Sequence, residues 1–332
     1  MSGTIRDIKR LTGLSLATIS KYLNGGNVLP QNRELIESAI KELDYEVNEV
    51  ARWLATNKTK TIGVMVYDIQ SLFSATLVSI IGEALSKAGY GLLICDSANS
   101  LRQEQRNFEF LLNKKVDGIL IVPIEHGEFI PEDTDIPIVF MDKPSASGAL
   151  SCVKIDNVKT GFDAVEYLIS NGHKRIGVIS SYSEYTGRER HKGYLAAMKK
   201  HGLEVREEYM KIAPYAGIPG GHENMNELIS LPEPPTAVFT TNYEITLGAI
   251  MAVNESHLKC PEEISLLGFD NLILPQIVKP KIATVVQPMN EIGETAVRLI
   301  LNEIGHHEER RAQTINLTAH IQPGNSICRL PE

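Results

Sequence analysis

SLATISKYLN, residues Ser15–Asn24, decides how the rest of the chain is read. Ser15 places a hydroxyl just ahead of a short run in which Ile19 and Leu23 share a face, the pattern of a helix whose first turn is capped. The preceding stretch TIRDIKRLTG, Thr4–Gly13, repeats it: Thr4 and Asp7 approximate a capping box, and Ile5, Ile8 and Leu11 line one side. Gly13 supplies permissive backbone between the two runs. Two short amphipathic helices joined by a tight turn form a helix-turn-helix pattern, whose second helix ordinarily enters the major groove of DNA. Such pairs also occur in proteins that never touch nucleic acid, and charge separates the two readings. Arg6, Lys9, Arg10, Lys21 and Arg33 stand against a single acid, Asp7, before residue 34, whereas the whole chain carries a net charge of −8. A basic end on an acidic body is the footprint of a phosphate-binding head.

Working outward, Asn24–Asn27 is a loop by composition and Pro30 opens a third helix. Leu35, Ile36, Ala39, Ile40 and Leu43 recur there at helical spacing and would close a small core over Ile8 and Ile19. The head ends near Tyr45. Residues 48–55 read as a short helix with Asn48 as its cap, followed by a polar linker to Thr61. Alone, a helix of that length is marginal in water and needs a partner.

From Thr61 the pattern becomes strand and helix in alternation. Strand-like runs are Ile62–Val66, Gly91–Cys95, Gly118–Val122, Ile136–Met141, Cys152–Ile155, Arg175–Ile179, Ala237–Thr240 and Ile264–Phe269. Helical runs between them include Ser74–Ala88, Gln103–Lys114, Thr160–Asn171, Arg190–His201 and Tyr243–Ser256. That alternation argues for parallel, doubly wound sheets with right-handed crossovers, and the strands are too many for one sheet of average size. The expected fold is an all-α helix-turn-helix head plus an α/β core of two doubly wound parallel-sheet lobes.

Length and composition agree. A chain of 332 residues suits a small head plus domains of ~100–150 residues. No apolar run reaches the ~18–20 residues of a membrane span and the first residues are polar, so a cytoplasmic protein without membrane contact is expected. Cys95, Cys152, Cys260 and Cys328 are scattered and read as isolated thiols. No Walker loop, GxGxxG, HExxH or GxSxG is present, so no enzyme, cofactor or metal is expected.

In doubly wound sheets, ligands bind beyond the carboxyl ends of the strands. Asp68–Phe73, Asp142, Ser180–Arg190, Asn242 and Asp270 occupy those positions. Two acids, an amide, an arginine and aromatic groups suit a small hydroxylated ligand, with Phe73 or Tyr215 stacking on its apolar face. Any single Asp or Asn after a strand is more often a helix cap; convergence from several loops favours a site.

TIRDIKRLTGLSLATISKYLNG, NEVARWLA, TIGVMVYDI, KAGYGLLIC, KKVDGILIVP, HKRIGVIS, TNYEITLGAI, ISLLGFDN and TVVQPMNEIGETAVRLI together resemble the LacI/GalR family of bacterial transcriptional regulators. The match runs in order over essentially the whole chain. It implies a DNA-binding head (1–46), a hinge helix and linker (47–60), and a core like that of periplasmic sugar-binding proteins. One core lobe would comprise 61–159 with 289–317, and the other 160–287 with 318–332. The chain would cross between lobes near Asn157–Thr160, Gln287–Pro288 and Leu317–Ile321.

Residue by residue, the resemblance puts Leu16 and Ala17 at the positions that set operator preference; both can meet a thymine methyl and neither makes a bidentate base contact. Thr4, Ser15, Thr18, Ser20, Lys21 and Asn24 would hold phosphates or base edges, Lys21 standing where Arg is commoner. In the hinge, Asn48 and Arg52 would join them, and Leu54 would wedge into the minor groove. Trp53 replaces a smaller residue, without an evident physical reason. The implied effector residues are Phe73, Asp156, Arg190, Tyr215, Asn242, Asp270 and Gln287. Two departures change the lining: Ser71-Leu72-Phe73-Ser74 replaces Asn-Pro-Phe-Phe, and Tyr243 replaces an acid. Only nine residues follow Pro323, too few for a heptad helix, so a homodimer is expected. The expected function is a repressor of carbohydrate-utilisation genes that binds operator DNA under control of a sugar-like effector. The alternatives are a global catabolite regulator controlled by a phosphorylated carrier protein, a plain sugar-binding protein, and an enzyme of the doubly wound type.

Overall fold

Thr4 and Ser15 do what their positions demand. In the computed structural model, which describes residues 4–45, 58–124, 129–131, 134–182, 184–213, 217–270, 273, 277–306 and 311–331, the Thr4 hydroxyl accepts from the Asp7 N–H at 3.3 Å. The Asp7 carboxylate accepts from the Thr4 N–H at 3.0 Å, completing a capping box on α1 (Ile5–Thr12). Gly13 ends α1 at φ +69°, a left-handed turn that favours glycine. Ser15 accepts from Thr18 N–H at 3.1 Å and opens α2 (Leu16–Leu23). Pro30 opens α3 (Pro30–Glu42). Ile8, Ile19 and Ile36 are fully buried where the helices meet. Leu11 and Leu35, expected inside, are 46% and 48% exposed. Helices this short enclose a core one residue wide, and the central isoleucines fill it.

The core is built from β1 (Thr61–Val66), α4 (Leu72–Lys87), β2 (Gly91–Asp96), α5 (Leu101–Asn113), β3 (Gly118–Val122), β4 (Ile138–Met141) and β5 (Ser151–Ile155). There follow α6 (Asn157–Ser170), β6 (Ile176–Ser181), α7 (Tyr185–Lys200), β7 (Met210–Ala213), α8 (Ile218–Ile229), β8 (Ala237–Thr240), α9 (Tyr243–Glu255) and β9 (Ser265–Phe269). The chain closes with β10 (Ala283–Val286), α10 (Met289–Gly305), β11 (Thr314–Leu317) and β12 (His320–Gln322). The strands make two sheets of one design, ordered β11-β5-β4-β3-β1-β2 and β12-β10-β9-β8-β6-β7. Register runs Ile62↔Gly118 to Val66↔Val122 in the first and Ile176↔Ala237 to Ile179↔Thr240 in the second. β12 departs from the parallel expectation: it lies antiparallel on β10, with Ile321 opposite Val285.

The central strands GILIV, IVFM, AVFT and SLLGF are buried along their whole length, because helices cover both faces of a parallel sheet. The chain passes between sheets at Asp156, at Gln287–Pro288 and at Thr318–Ala319. The first passage ends earlier than the sequence suggests, since α6 already starts at Asn157 and packs on α7 of the second lobe. That packing is backbone to backbone. A Cβ on Gly161 would lie 2.2 Å from the Arg190 carbonyl oxygen, and one on Gly193 would lie 2.2 Å from that of Val158. These glycines therefore set where the side chain of Arg190 emerges.

Candidate effector site and nucleic-acid interface

Arg190 leaves α7 with 3% of its surface exposed. Its Nε donates to Asn157 Oδ1 at 2.8 Å and a terminal nitrogen donates to the Thr241 carbonyl at 2.6 Å. The guanidinium carbon lies 3.6 Å from the centroid of the Phe269 ring, a cation–π stack. The charge is thereby held between α6, the end of β8 and the end of β9.

Asp270 follows β9 in the left-handed region, φ +63°, with its N–H on the Val285 carbonyl at 2.7 Å. Its carboxylate accepts from Gln287 Nε2 at 2.9 Å. Asp142 repeats the device after β4: φ is +70° and its N–H donates to the Val153 carbonyl at 3.0 Å. Aspartate tolerates this backbone better than most residues, so each lobe places a carboxylate at the carboxyl end of its fourth strand. Around Arg190, Asn157 Nδ2 and Thr241 Oγ1 are buried without a hydrogen-bond partner among the described residues. An unmet buried polar atom costs ~1–3 kcal/mol, which a ligand bearing hydroxyl groups would recover.

The electrostatics follow from this burial. Desolvation raises the Asp270 carboxyl to about 6, against the opposing pull of Arg190 and the Gln287 hydrogen bond. Burial raises Glu244 to about 7, and the charges of Glu184, Asp270 and Asp68 add to it. Burial also raises Glu184, against Lys143 and Arg190. Desolvation lowers Arg190, and Asp142, Asp270 and Glu184 oppose that shift. Beside Arg190, His191 is buried and held neutral by desolvation, and it shares a 2.9 Å hydrogen bond with Ser180 Oγ.

Of the residues singled out in the sequence, Arg190, Asn242, Asp270 and Gln287 come together. Asn242 also caps α9, accepting from Ile245 N–H at 2.8 Å, and its Nδ2 donates to Glu184 at 3.4 Å. Asp156 is exposed and caps α6 through Lys159 N–H at 2.9 Å, the ordinary role of an acid after a strand. Phe73 is buried in the main hydrophobic cluster. Tyr215, Asn48, Arg52 and Leu54 lie outside the described residues. The sequence reading missed Asn157, Thr241, Phe269, Lys143 and Glu244, and did not distinguish Glu184 within Ser180–Arg190. Asn157 and Thr241 are chain neighbours of two residues it did name, and strand-end position is the signal that could have found them.

On the head, Ser15, Leu16, Ala17, Lys21 and Asn24 are exposed, and Thr18 and Ser20 half-exposed. Ile19 anchors the opposite face, and Tyr22 donates to Glu37 at 2.8 Å, tying α2 to α3. An open concavity of about 910 Å³ beside α2 is lined by Ala17, Thr18, Lys21, Leu29, Pro30 and Arg33, among others. It brings two cations to the first turn of α3, which has no side-chain cap, and both features favour a phosphate.

Residues 4–48 match the family described as bacterial regulatory proteins, lacI family. Residues 59–322 match periplasmic binding proteins and the sugar binding domain of the LacI family. This chain belongs to the LacI family. The regulator is 34% identical over 307 residues to catabolite control protein A of Priestia megaterium, covering 90% of this chain and 92% of that one. It is 31% identical over 315 residues to the HTH-type transcriptional repressor PurR of Pasteurella multocida, covering 93% and 94%. Its fold matches the crystal structure of the lac repressor dimer bound to operator and the anti-inducer ONPF, with a TM-score of 0.86 and 21% identity over 99% of this chain and 100% of that chain. This LacI-family protein is accordingly a DNA-binding transcriptional regulator with a small-molecule-binding core. No described helix is long and apolar enough to cross a membrane, and no described group of His, Cys, Asp and Glu could hold a metal ion.

Proposed function

We propose that the regulator represses carbohydrate-utilisation genes as a cytoplasmic homodimer, and that a sugar-class effector bound between the core lobes sets its operator affinity. One observation carries this reading: Arg190 is held rigidly at the carboxyl ends of the second sheet, ringed by Asn157 Nδ2 and Thr241 Oγ1, which have no partner among the described residues, and by the Asp270–Gln287 pair. Fixed donors and acceptors around a buried cation suit a ligand dense in hydroxyl groups. Phe73, Asp156, Tyr215 and Asn242 complete the proposed lining. On the DNA side, Thr4, Ser15, Leu16, Ala17, Thr18, Ser20, Lys21 and Asn24 would meet the major groove, with Asn48, Arg52 and the Leu54 wedge acting from the hinge. The lac repressor, similar in fold, was solved as a dimer on its operator, which supports two heads reading two half-sites.

The coupling is a linkage. An effector that prefers one lobe arrangement shifts operator affinity by its differential affinity for the two, typically ~1–3 kcal/mol. Thermal-shift and calorimetric screening of mono- and disaccharides should find a compound that raises the melting temperature of wild type. Arg190→Gln, checked by its own melting curve, should not respond. An Arg190→Gln protein that binds the same compound equally well removes the cleft from the site. If no sugar binds but a phosphorylated protein changes operator affinity, the carrier-controlled alternative takes its place.

A further inference from the structure

The chain just ahead of β1 is pinned by one carboxylate. Thr59 N–H donates to Asp117 Oδ1 at 2.7 Å, and Lys60 N–H donates to Asp117 Oδ2 at 3.0 Å. The Thr59 hydroxyl lies 2.9 Å from Asp117 Oδ1 and 3.1 Å from the Lys115 carbonyl. Asp117 N–H closes the junction on the Thr61 carbonyl at 2.8 Å. Lys115–Asp117 accordingly groups with the chain that ends at Thr61. Residues 58–61 and 115–117 bring three lysines, Lys58, Lys60 and Lys115, against a single acid, and all three lysines are exposed. That acid is taken up by backbone N–H groups.

The backbone supplies an independent observation. Lys60 and Lys115 both occupy the left-handed region, at φ +51° and +57°. That conformation costs an ordinary L-residue ~1–2 kcal/mol and glycine little, so a junction that needed shape alone would be cheaper with glycine at both places. Strain of this kind collects at functional positions, and here it keeps two long cationic side chains on backbone that Asp117 holds fixed.

We infer that Lys58, Lys60 and Lys115 form a second phosphate-binding patch, outside the head, that grips the DNA backbone beside the operator centre. The inference rests on the Leu54 wedge proposed above. Lys58 follows Leu54 by four residues and Lys60 by six, so their Cα atoms lie within about 14 Å and about 22 Å of it whatever path the chain takes. The minor groove is only ~6 Å wide, and a phosphate strand runs along either side of it. Lysine is a flexible point charge that suits such phosphates and reads no base. The patch therefore strengthens binding without setting sequence preference.

Two measurements on the full chain test it, with DNA that the chain selects from a random pool. The first is the slope of log affinity against log salt for wild type, for the triple variant Lys58→Gln, Lys60→Gln, Lys115→Gln, and for the same three positions changed to Arg. The glutamine triple should lower the magnitude of the slope by about 0.9 for each phosphate released, and the arginine triple should keep it. The second replaces phosphates beside the operator centre with uncharged methylphosphonates. Wild type should lose about two- to fivefold in affinity per contacted phosphate, the worth of an exposed ion pair, and the glutamine triple should lose nothing further. An unchanged slope overturns the inference even if affinity falls, because the lysines would then act only on the shape of the junction. Equal methylphosphonate losses in wild type and the glutamine triple overturn it as well. Leu54→Ala keeps the two readings apart. If it weakens binding while the glutamine triple behaves as wild type, the wedge stands and the patch is lost; if it binds as tightly as wild type, the wedge is lost.

Discussion

Asp270 shows what a buried carboxylate costs its own fold. Burial lifts its carboxyl from 3.8 to about 6, so the native state holds this proton more tightly than the unfolded chain does. The stability it contributes is therefore complete below about pH 4 and is lost as pH rises through about 6. Asp270→Asn retains an acceptor for Gln287 and removes that loss. The unliganded variant should melt above wild type at pH 8, by up to ~2–3 kcal/mol, with a smaller gap at pH 4.5. A gap that does not change with pH would contradict the burial argument. Arg190, Asn242 and Asp270 were legible in the sequence because strand-end positions in a doubly wound sheet are where ligands bind, and Gln287 entered through family resemblance. Asn157 and Thr241 were not, since a missing hydrogen-bond partner exists only once the neighbours are in place. Phe269 reads as one more strand hydrophobe until a guanidinium is found stacked on it.

Helices and strands differed in legibility for a related reason. β3, β4, β8 and β9 announce themselves as continuous apolar runs because both their faces are covered. β7, β10, β11 and β12 are missing from the sequence pattern: β7, β11 and β12 are short, partly exposed edge strands, and β10, though buried, is only four residues long. Helix starts were placed late at α4, α5, α6 and α7, whose first turns are polar or mixed and fall outside the apolar periodicity. Nor does periodicity reveal that Gly161 and Gly193 let α6 and α7 touch backbone to backbone. Gly161→Ala would thrust a methyl against the Arg190 carbonyl and must move α7. It should destabilise the core by ~1–3 kcal/mol or more, and weaken effector binding by displacing Arg190. Gly305→Ala, where a Cβ meets nothing within 4 Å among the described residues, is the control and should lower neither quantity. Equal melting temperatures for wild type and Gly161→Ala would show that the helices can part without strain.

At the scale of the molecule, charge is divided by function. Five basic residues precede residue 34 in a chain whose net charge is −8, so phosphate contact belongs first to the head. The logarithm of DNA affinity should accordingly fall steeply and linearly with the logarithm of salt concentration, and a flat plot would show that the head does not neutralise phosphates. In the proposed DNA contact, Leu16 and Ala17, exposed on α2, offer few hydrogen bonds to bases. Shape, half-site spacing and deformability of the operator centre should then carry more of the specificity. In the proposed mechanism a ligand held at Arg190 governs whether the head stays on DNA. Its most direct test takes the DNA selected by the full chain from a random pool and measures affinity with and without the bound sugar, in wild type and in Arg190→Gln. Wild-type affinity should change by about 5- to 150-fold while the variant binds the same DNA without responding. A variant that responds as strongly as wild type would mean that control of the head does not pass through Arg190.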